Sequence, residues 1–200
     1  SAFSGCTGLK EVHISDLATW CNIDFTHSSG CNPLYYAKNL YLNNELVIEL
    51  VIPDGLTSIG MYSFYNCSNL TSIVIPDSVK SIGNNAFSHC TSLTSITIPD
   101  SVTEIGSYAL SGCTSLTSIH IPNSVTRIGR DAFSGCTSLM SINIPSSVTR
   151  ISWCEFSGCT SLTDLIIDDG VDNIASAFYG CTALKNVTLA DSITNLDNAF

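Results

Sequence analysis

What most constrains the fold of this chain is a period. Cys67, Cys90, Cys113, Cys136 and Cys159 follow one another at intervals of 23 residues, and Cys181 comes 22 later. Phe64, Phe87, Leu110, Phe133, Phe156, Phe178 and Phe200 keep the same beat. Repeats of this length with apolar positions in fixed phase mark a solenoid, in which each unit covers its neighbour's apolar face and none is stable alone. The composition agrees: 44% of the residues are hydrophobic and only 12% are charged, so Ser, Thr and Asn must supply most of the polar surface.

Residues 93–113 illustrate one unit. Leu93, Ile96 and Ile98 point inward, Pro99, Asp100 and Ser101 turn, and Val102 and Ile105 point inward before Gly106. Alternation at Ile96, Thr97 and Ile98 predicts a strand, which Pro99 ends because proline cannot donate to a ladder. The segments "SYAL", "NNAF" and "RDAF" are expected to form one helical or 3₁₀ turn. The position before each cysteine reads Gly5, Asn66, His89, Gly112, Gly135, Gly158 and Gly180. These residue types share a tolerance for positive φ, so the column is a left-handed cap and His89 belongs to it as a cap rather than a catalyst.

The resulting pattern, L-x-x-I-x-I-P-x-S-V-x-x-I-G-x-x-A-F-x-x-C, resembles the BspA-like, or Treponema pallidum-type, leucine-rich repeats over residues 1–14 and 47–200. The resemblance implies a right-handed leucine-rich repeat solenoid, mainly β with short helical turns and 22–23-residue repeats. It also implies an extracellular or cell-surface setting, because family members occur on bacterial or protozoan surfaces and several are linked to adhesion. The chain is read as a single domain over residues 1–200, cut within a repeat at both ends and so a piece of a longer protein. Its uncapped ends would then allow end-to-end self-association.

The repeat is broken at residues 15–47. Trp20, Ile23 and Phe25 mark a distorted coil, and "NLYLNNELVIEL" predicts a β-hairpin turning at Asn43 and Asn44, its second strand running on through Leu50, Val51 and Ile52 to Pro53. Trp20, Phe25, Tyr35, Tyr36 and Tyr41 give this island aromatic residues that the regular coils are expected to lack on their outsides. A structural plug is weighed above a binding protrusion, since apolar residues are mostly core. In "ISWCEFSGC" (151–159), Glu155 falls in an inward column of Ala and Ser, which requires either a re-registered turn or a paired carboxylate. The next two units are one residue short, "IASAF" and "LDNAF", and predict a change of coil shape.

The recurring cysteines are read as packing: an in-register thiol behaves as a small buried hydrophobe. Cys21 and Cys31 lie outside the column and are candidates for a disulfide. Cys21, His27 and Cys31, with His13 nearby, invite a zinc reading, but their spacing matches no standard ligand pattern. Asp54, Asp77 and Asp100 would line up as calcium ligands or, more commonly, as turn residues accepting a backbone N–H. No serine sits in a nucleophile elbow, no phosphate-binding glycine loop occurs, and no histidine is phased beside a credible nucleophile. The sequence therefore points to a non-enzyme without a cofactor. A net charge of −10 with only 7 basic residues argues against nucleic acid, and no apolar run is long enough for membrane insertion.

By strand alternation, two columns face solvent from the principal strands. One reads Glu11, Glu49, Ser72, Ser95, Ser118, Ser141, Asp164 and Asn186; the other reads His13, Val51, Val74, Thr97, His120, Asn143, Ile166 and Thr188. The second changes chemistry from coil to coil and is the candidate binding face, with a protein or glycan as partner. The rival reading is a spacer, a solenoid stalk with no ligand of its own.

Overall fold

The computed structural model describes residues 2–23, 25, 29–151 and 154–200. Strands Glu49–Val51, Ser72–Val74 and Ser95–Thr97 pair in parallel and in register, so that Leu50, Ile73 and Ile96 stack on the inside. A second set, Ser141–Ile144, Asp164–Ile167 and Asn186–Thr188, continues the same face. Between the two sets, residues 118–120 join by one bridge, Ser118 to Ser141. Ile119 and Ile121 nevertheless stay buried, so packing carries the coil through this gap in the ladder.

After each proline the chain turns, with Val79, Val102, Val125 and Val148 donating back to the carbonyls of Pro76, Pro99, Pro122 and Pro145. The inter-coil bond at this turn belongs to the serine that follows the aspartate position. Ser101, Ser124 and Ser147 donate Oγ–H to the carbonyls of Val79, Val102 and Val125 at 2.6–2.7 Å. A second parallel sheet follows, of Ser58–Ile59, Ser81–Ile82, Glu104–Ile105 and Arg127–Ile128. Beyond it, among the described residues, single bridges continue this side, Arg150 to Asn173 and Asn173 to Asn195, which places the change of shape where the units shorten.

The third side of the coil departs from the sequence expectation. Segments such as "NNAF" form turns rather than a helical or 3₁₀ turn, and the helices among the described residues all lie in the island. The cause is a second left-handed column, Tyr62, Asn85, Tyr108, Asp131, Cys154, Ser176 and Asn198, with φ between 52° and 69°. Together with the cap column this sets two left-handed residues in each coil, four positions apart. Alternate N–H groups then point along the solenoid: Asn85, Phe87 and His89 donate to the carbonyls of Ser107, Ala109 and Ser111. The residues between them bond locally, Ala86 to Gly83 and Ser88 to Asn85. A helix would have turned every N–H onto its own coil.

The cap column itself is as expected, with φ from 61° at His89 to 82° at Gly5. The glycine of the I-G pair has a different cause. A Cβ on Gly129 would lie 2.3 Å from the backbone nitrogen of Ser107, so the coils approach too closely there for any side chain. Inside, phenylalanine rings stack between coils, Phe133 to Phe156 at 5.1 Å and Phe156 to Phe178 at 5.2 Å. Glu155 keeps its place in the inward column at 2% exposure, and its carbonyl accepts from Phe133 in register with the neighbouring coils. The turn is therefore not re-registered.

The island lies between the first coil, which carries Glu11–Ile14, and the coil of residues 60–70. Helix Leu17–Cys21 starts on an Asp16 cap that accepts from the N–H of Ala18 at 2.9 Å. Trp20 donates its indole N–H to the carbonyl of Ser63, and the fully buried Asn32 donates to the carbonyls of Tyr62 and Ser63. Trp20 and Phe25 are buried, as the plug reading requires. The hairpin is present, with Asn43 and Asn44 at φ 53° and 69°. Its second strand is only Glu45–Leu46, however, and it does not run on into the solenoid. Glu49–Val51 opens a separate sheet, while Asn39–Leu42 pairs in parallel with Glu11–Ile14.

Candidate functional site

The two outward columns lie on one solvent face, as alternation requires, but their first members have different neighbours. Pairing of Glu11–Ile14 with Asn39–Leu42 sets Asn39 beside Glu11 and Tyr41 beside His13, where the repeat phase would have put Glu49 and Val51. The island thus inserts a strand into the candidate face. Tyr41 is the residue that column counting missed; the Asn-Asn turn was the available signal, because it fixes which residues of the hairpin can face out.

At this end, the His13 ring stacks on Tyr41 with centroids 4.6 Å apart. His13 Nε2 lies 3.2 Å from Glu11 Oε2, and its Nδ1 lies 3.3 Å from Asn44 Oδ1. A depression of about 330 Å³ opens beside it, bounded by Ser15, Asp16, Thr19, Trp20 and Ile23. The hydrogen bonds from Thr19 and Ala18 hold the Asp16 carboxyl below the usual carboxylate range.

In the middle, Val51, Val74 and Thr97 are adjacent, and the valines are 64% and 53% exposed. Asn143, Ile166 and Thr188 are likewise adjacent, with Ile166 at 46%. Exposed His120 shares the phase but sits in the coil that joins by a single bridge. The companion column is polar throughout. Asp164 accepts from Thr163 and Asn186, and those two bonds lower its pKa.

A separate aromatic patch forms where island and coils meet. Tyr65 stacks on Tyr35 at 5.7 Å and meets His89 edge-on at 5.6 Å. The His89 ring lies over Gly112, where an added Cβ would come within 2.6 Å of its Nδ1. His89 is thus a cap whose side chain covers the next coil.

The cysteines of the column are buried from Cys67 to Cys181, whereas Cys6 is exposed. Their thiols bond to the backbone of the preceding coil: Cys90, Cys113 and Cys136 donate to the carbonyls of Phe64, Phe87 and Leu110 at 3.3 Å. Burial pushes the Cys67 and Cys136 thiols up to about 12. Cys21 is buried and unbridged, so the Cys21 to Cys31 disulfide does not form. His27, which the zinc reading needs, lies outside the described residues; among the described residues no three His, Cys, Asp or Glu side chains gather as metal ligands.

A repeat architecture with these inward and outward columns defines a leucine-rich repeat protein. The chain belongs to the BspA type leucine rich repeat region family, which matches it in six copies over residues 35–163 and 104–200. It is similar to the leucine rich repeat protein of Treponema pallidum, with 35% identity and a TM-score of 0.69 over 74% of this chain and 73% of that one. A leucine-rich repeat protein from Bacteroides ovatus is 31% identical with a TM-score of 0.62, over 73% of this chain and 46% of that one. The pneumococcal vaccine antigen PcpA shares the fold at 20% identity and a TM-score of 0.59, over 78% of this chain and 42% of that one. The chain thus spans less than half the length of the last two. No curated protein matches it.

Proposed function

We propose that this chain is a non-enzymatic binding module of a secreted or surface-attached protein, engaging a protein or a glycan through the solvent face of its principal sheets. One observation carries the reading. The outward column of the principal strands holds Val51, Val74 and Ile166 at 46–64% exposure, on a face otherwise made of polar side chains. Each side chain next to them in the companion column is small or polar. Solvation alone gives no reason for β-branched apolar residues at those positions, whereas a partner that covers them does. Family membership supports the surface setting, and the acidic balance of the chain, −10, favours a partner other than nucleic acid or an anionic membrane.

The test is a binding screen of the chain against host matrix proteins and a glycan array, repeated with V51S/V74S and with H120A/N143A. A ligand whose affinity falls in either variant, at unchanged melting temperature, supports the strand face. A ligand indifferent to both moves the site to the island, and the absence of any ligand favours the spacer.

A further inference from the structure

Where the units shorten, the second side of the coil is bonded differently. In the regular coils the glycine after the inward isoleucine donates its N–H to the coil before, Gly83 to Ile59, Gly106 to Ile82 and Gly129 to Ile105, each at 2.8 Å. The shortened coils carry Ala175 and Asp197 at that position. Their N–H groups turn back onto their own coil, to Asn173 Oδ1 and Asn195 Oδ1, both at 2.9 Å. A cleft of about 290 Å³ lies where the inter-coil bond is missing. Single bridges set Arg150, Asn173 and Asn195 side by side as consecutive outward residues, and all three line the cleft with Ser176 and Asp197. The backbone donors fix both asparagine amides, because Oδ1 has to face the N–H it accepts. Each Nδ2 is thereby left as a donor, and among the described residues neither has a protein partner. Arg150 is likewise unpaired among the described residues, whereas Arg127 is bonded to Glu104 and Arg130 to Asp131.

We propose that this cleft binds one residue of an acidic glycan, a sugar that carries a carboxylate on its ring. The Arg150 guanidinium offers parallel N–H groups in the fork geometry that a carboxylate accepts. The two Nδ2 groups donate to ring hydroxyl oxygens. Asp197 lines the same cleft without pairing with Arg150, so its carboxylate is left to accept from a sugar hydroxyl. A carboxylate at one point and hydroxyls around a ring match this set of donors and acceptor. Apart from Ala175 the lining is polar, so the cleft has no seat for the apolar side chain of a peptide. A net charge of −10 disfavours a polyanion held by charge alone, and recognition therefore rests on the directed bonds of this one cleft. The site lies off the principal strands and does not depend on the reading of their solvent face.

The experiment titrates the full chain with methyl glucuronide, with N-acetylneuraminic acid and, as the neutral control, with methyl glucoside, and reads affinity by saturation-transfer NMR. One of the two acidic sugars should bind at least about tenfold more tightly than the glucoside, the equivalent of one hydrogen bond to a charged group. Which of the two binds names the source of the glycan. Arg150 is exposed, so Arg150→Gln should fold and should abolish the preference, while Arg150→Lys should restore only part of it. Asn173→Asp keeps the acceptor that the Ala175 N–H needs and puts an oxygen in place of the donor; it should weaken the acidic sugar by about tenfold as well. Arg127→Gln and V51S/V74S should leave the preference as it is. Equal affinity for the glucoside, an unchanged preference in Arg150→Gln, or binding of neither acidic sugar overturns the proposal. Displacement by glycine, whose ammonium would pair with Asp197 while its carboxylate takes Arg150, would give the cleft to an amino acid and overturns it too.

Discussion

His13 lies flat against Tyr41, ring centroids 4.6 Å apart and planes 9° from parallel. The contact exists because the island supplies the strand beside Glu11–Ile14, and it makes His13 part of the joint between island and solenoid as well as part of the outward column. A double-mutant cycle of His13→Ala and Tyr41→Ala in urea should therefore give a coupling of about 0.5–1.5 kcal/mol, the range for stacked aromatic pairs. Strict additivity would show that the rings merely adjoin.

Inward and outward columns should differ sharply in their effect on stability. Phe133 is fully buried between stacked coils, so Phe133→Ala should cost about 3–5 kcal/mol. Thr97 is exposed on the strand face, and Thr97→Ala should stay within about 0.5 kcal/mol. Denaturant midpoints for the two variants measure this, and equal shifts would mean that the inward and outward phases are wrongly assigned.

That phase was legible from the sequence because a repeat multiplies each clue. One Ile-x-Ile is ambiguous, but the same spacing beside Leu, Pro and Cys in coil after coil admits one register. The cap before each cysteine was legible for the same reason, its residues being Gly, Asn and His. The second left-handed column was not, because it holds Tyr62, Tyr108 and Cys154, types with no liking for positive φ. There the ladder between coils overrides local preference. The true neighbours of His13 were hidden for another reason: an insertion has no repeat to average over, and only pairing shows where the hairpin docks.

The overridden positions make a prediction of their own. Cys154 sits at φ 69° in a column where Asn85 and Asn198 are at ease. Cys154→Asn should raise stability by up to about 1 kcal/mol, since a left-handed residue other than Gly, Asn or Asp costs roughly 1–2 kcal/mol. Thermal denaturation of the variant would show a higher midpoint. A lower one would mean that the thiol makes contacts worth more than the backbone strain.

The buried thiols set the alkaline limit. Cys67 and Cys136 ionise near 12 in the fold, because burial disfavours the thiolate, against an ordinary value of 9.0. The folded pKa is above the unfolded one, so the unfolded chain loses its protons first as pH rises. The column's contribution is complete below pH 9.0 and is lost between there and about 12. Urea midpoints should fall steeply over that window. Cys136→Ala should flatten the fall while lowering the midpoint at neutral pH, and an unchanged slope would locate the alkaline sensitivity elsewhere.

Local stability should fall towards the C-terminal coil. In the middle coils each backbone is bonded on both sides, as Phe87 is to Ala109 and Leu110 is to Ala132, and their side chains are enclosed. Strand Asn186–Thr188 is paired only with Asp164–Ile166, and all its residues are exposed. Leu196 and Phe200, apolar residues in the inward phase, are 46% and 54% exposed. A coil with neighbours on one side gains about half the interface term that holds a solenoid together, so it opens first. Hydrogen exchange of the reduced monomer should find the slowest amides between residues 90 and 145 and the fastest beyond about 185. Raising the protein concentration should protect the fast group alone if copies meet end to end. Uniform protection up to Phe200 in dilute solution would instead show that the last coil is held as firmly as the middle ones.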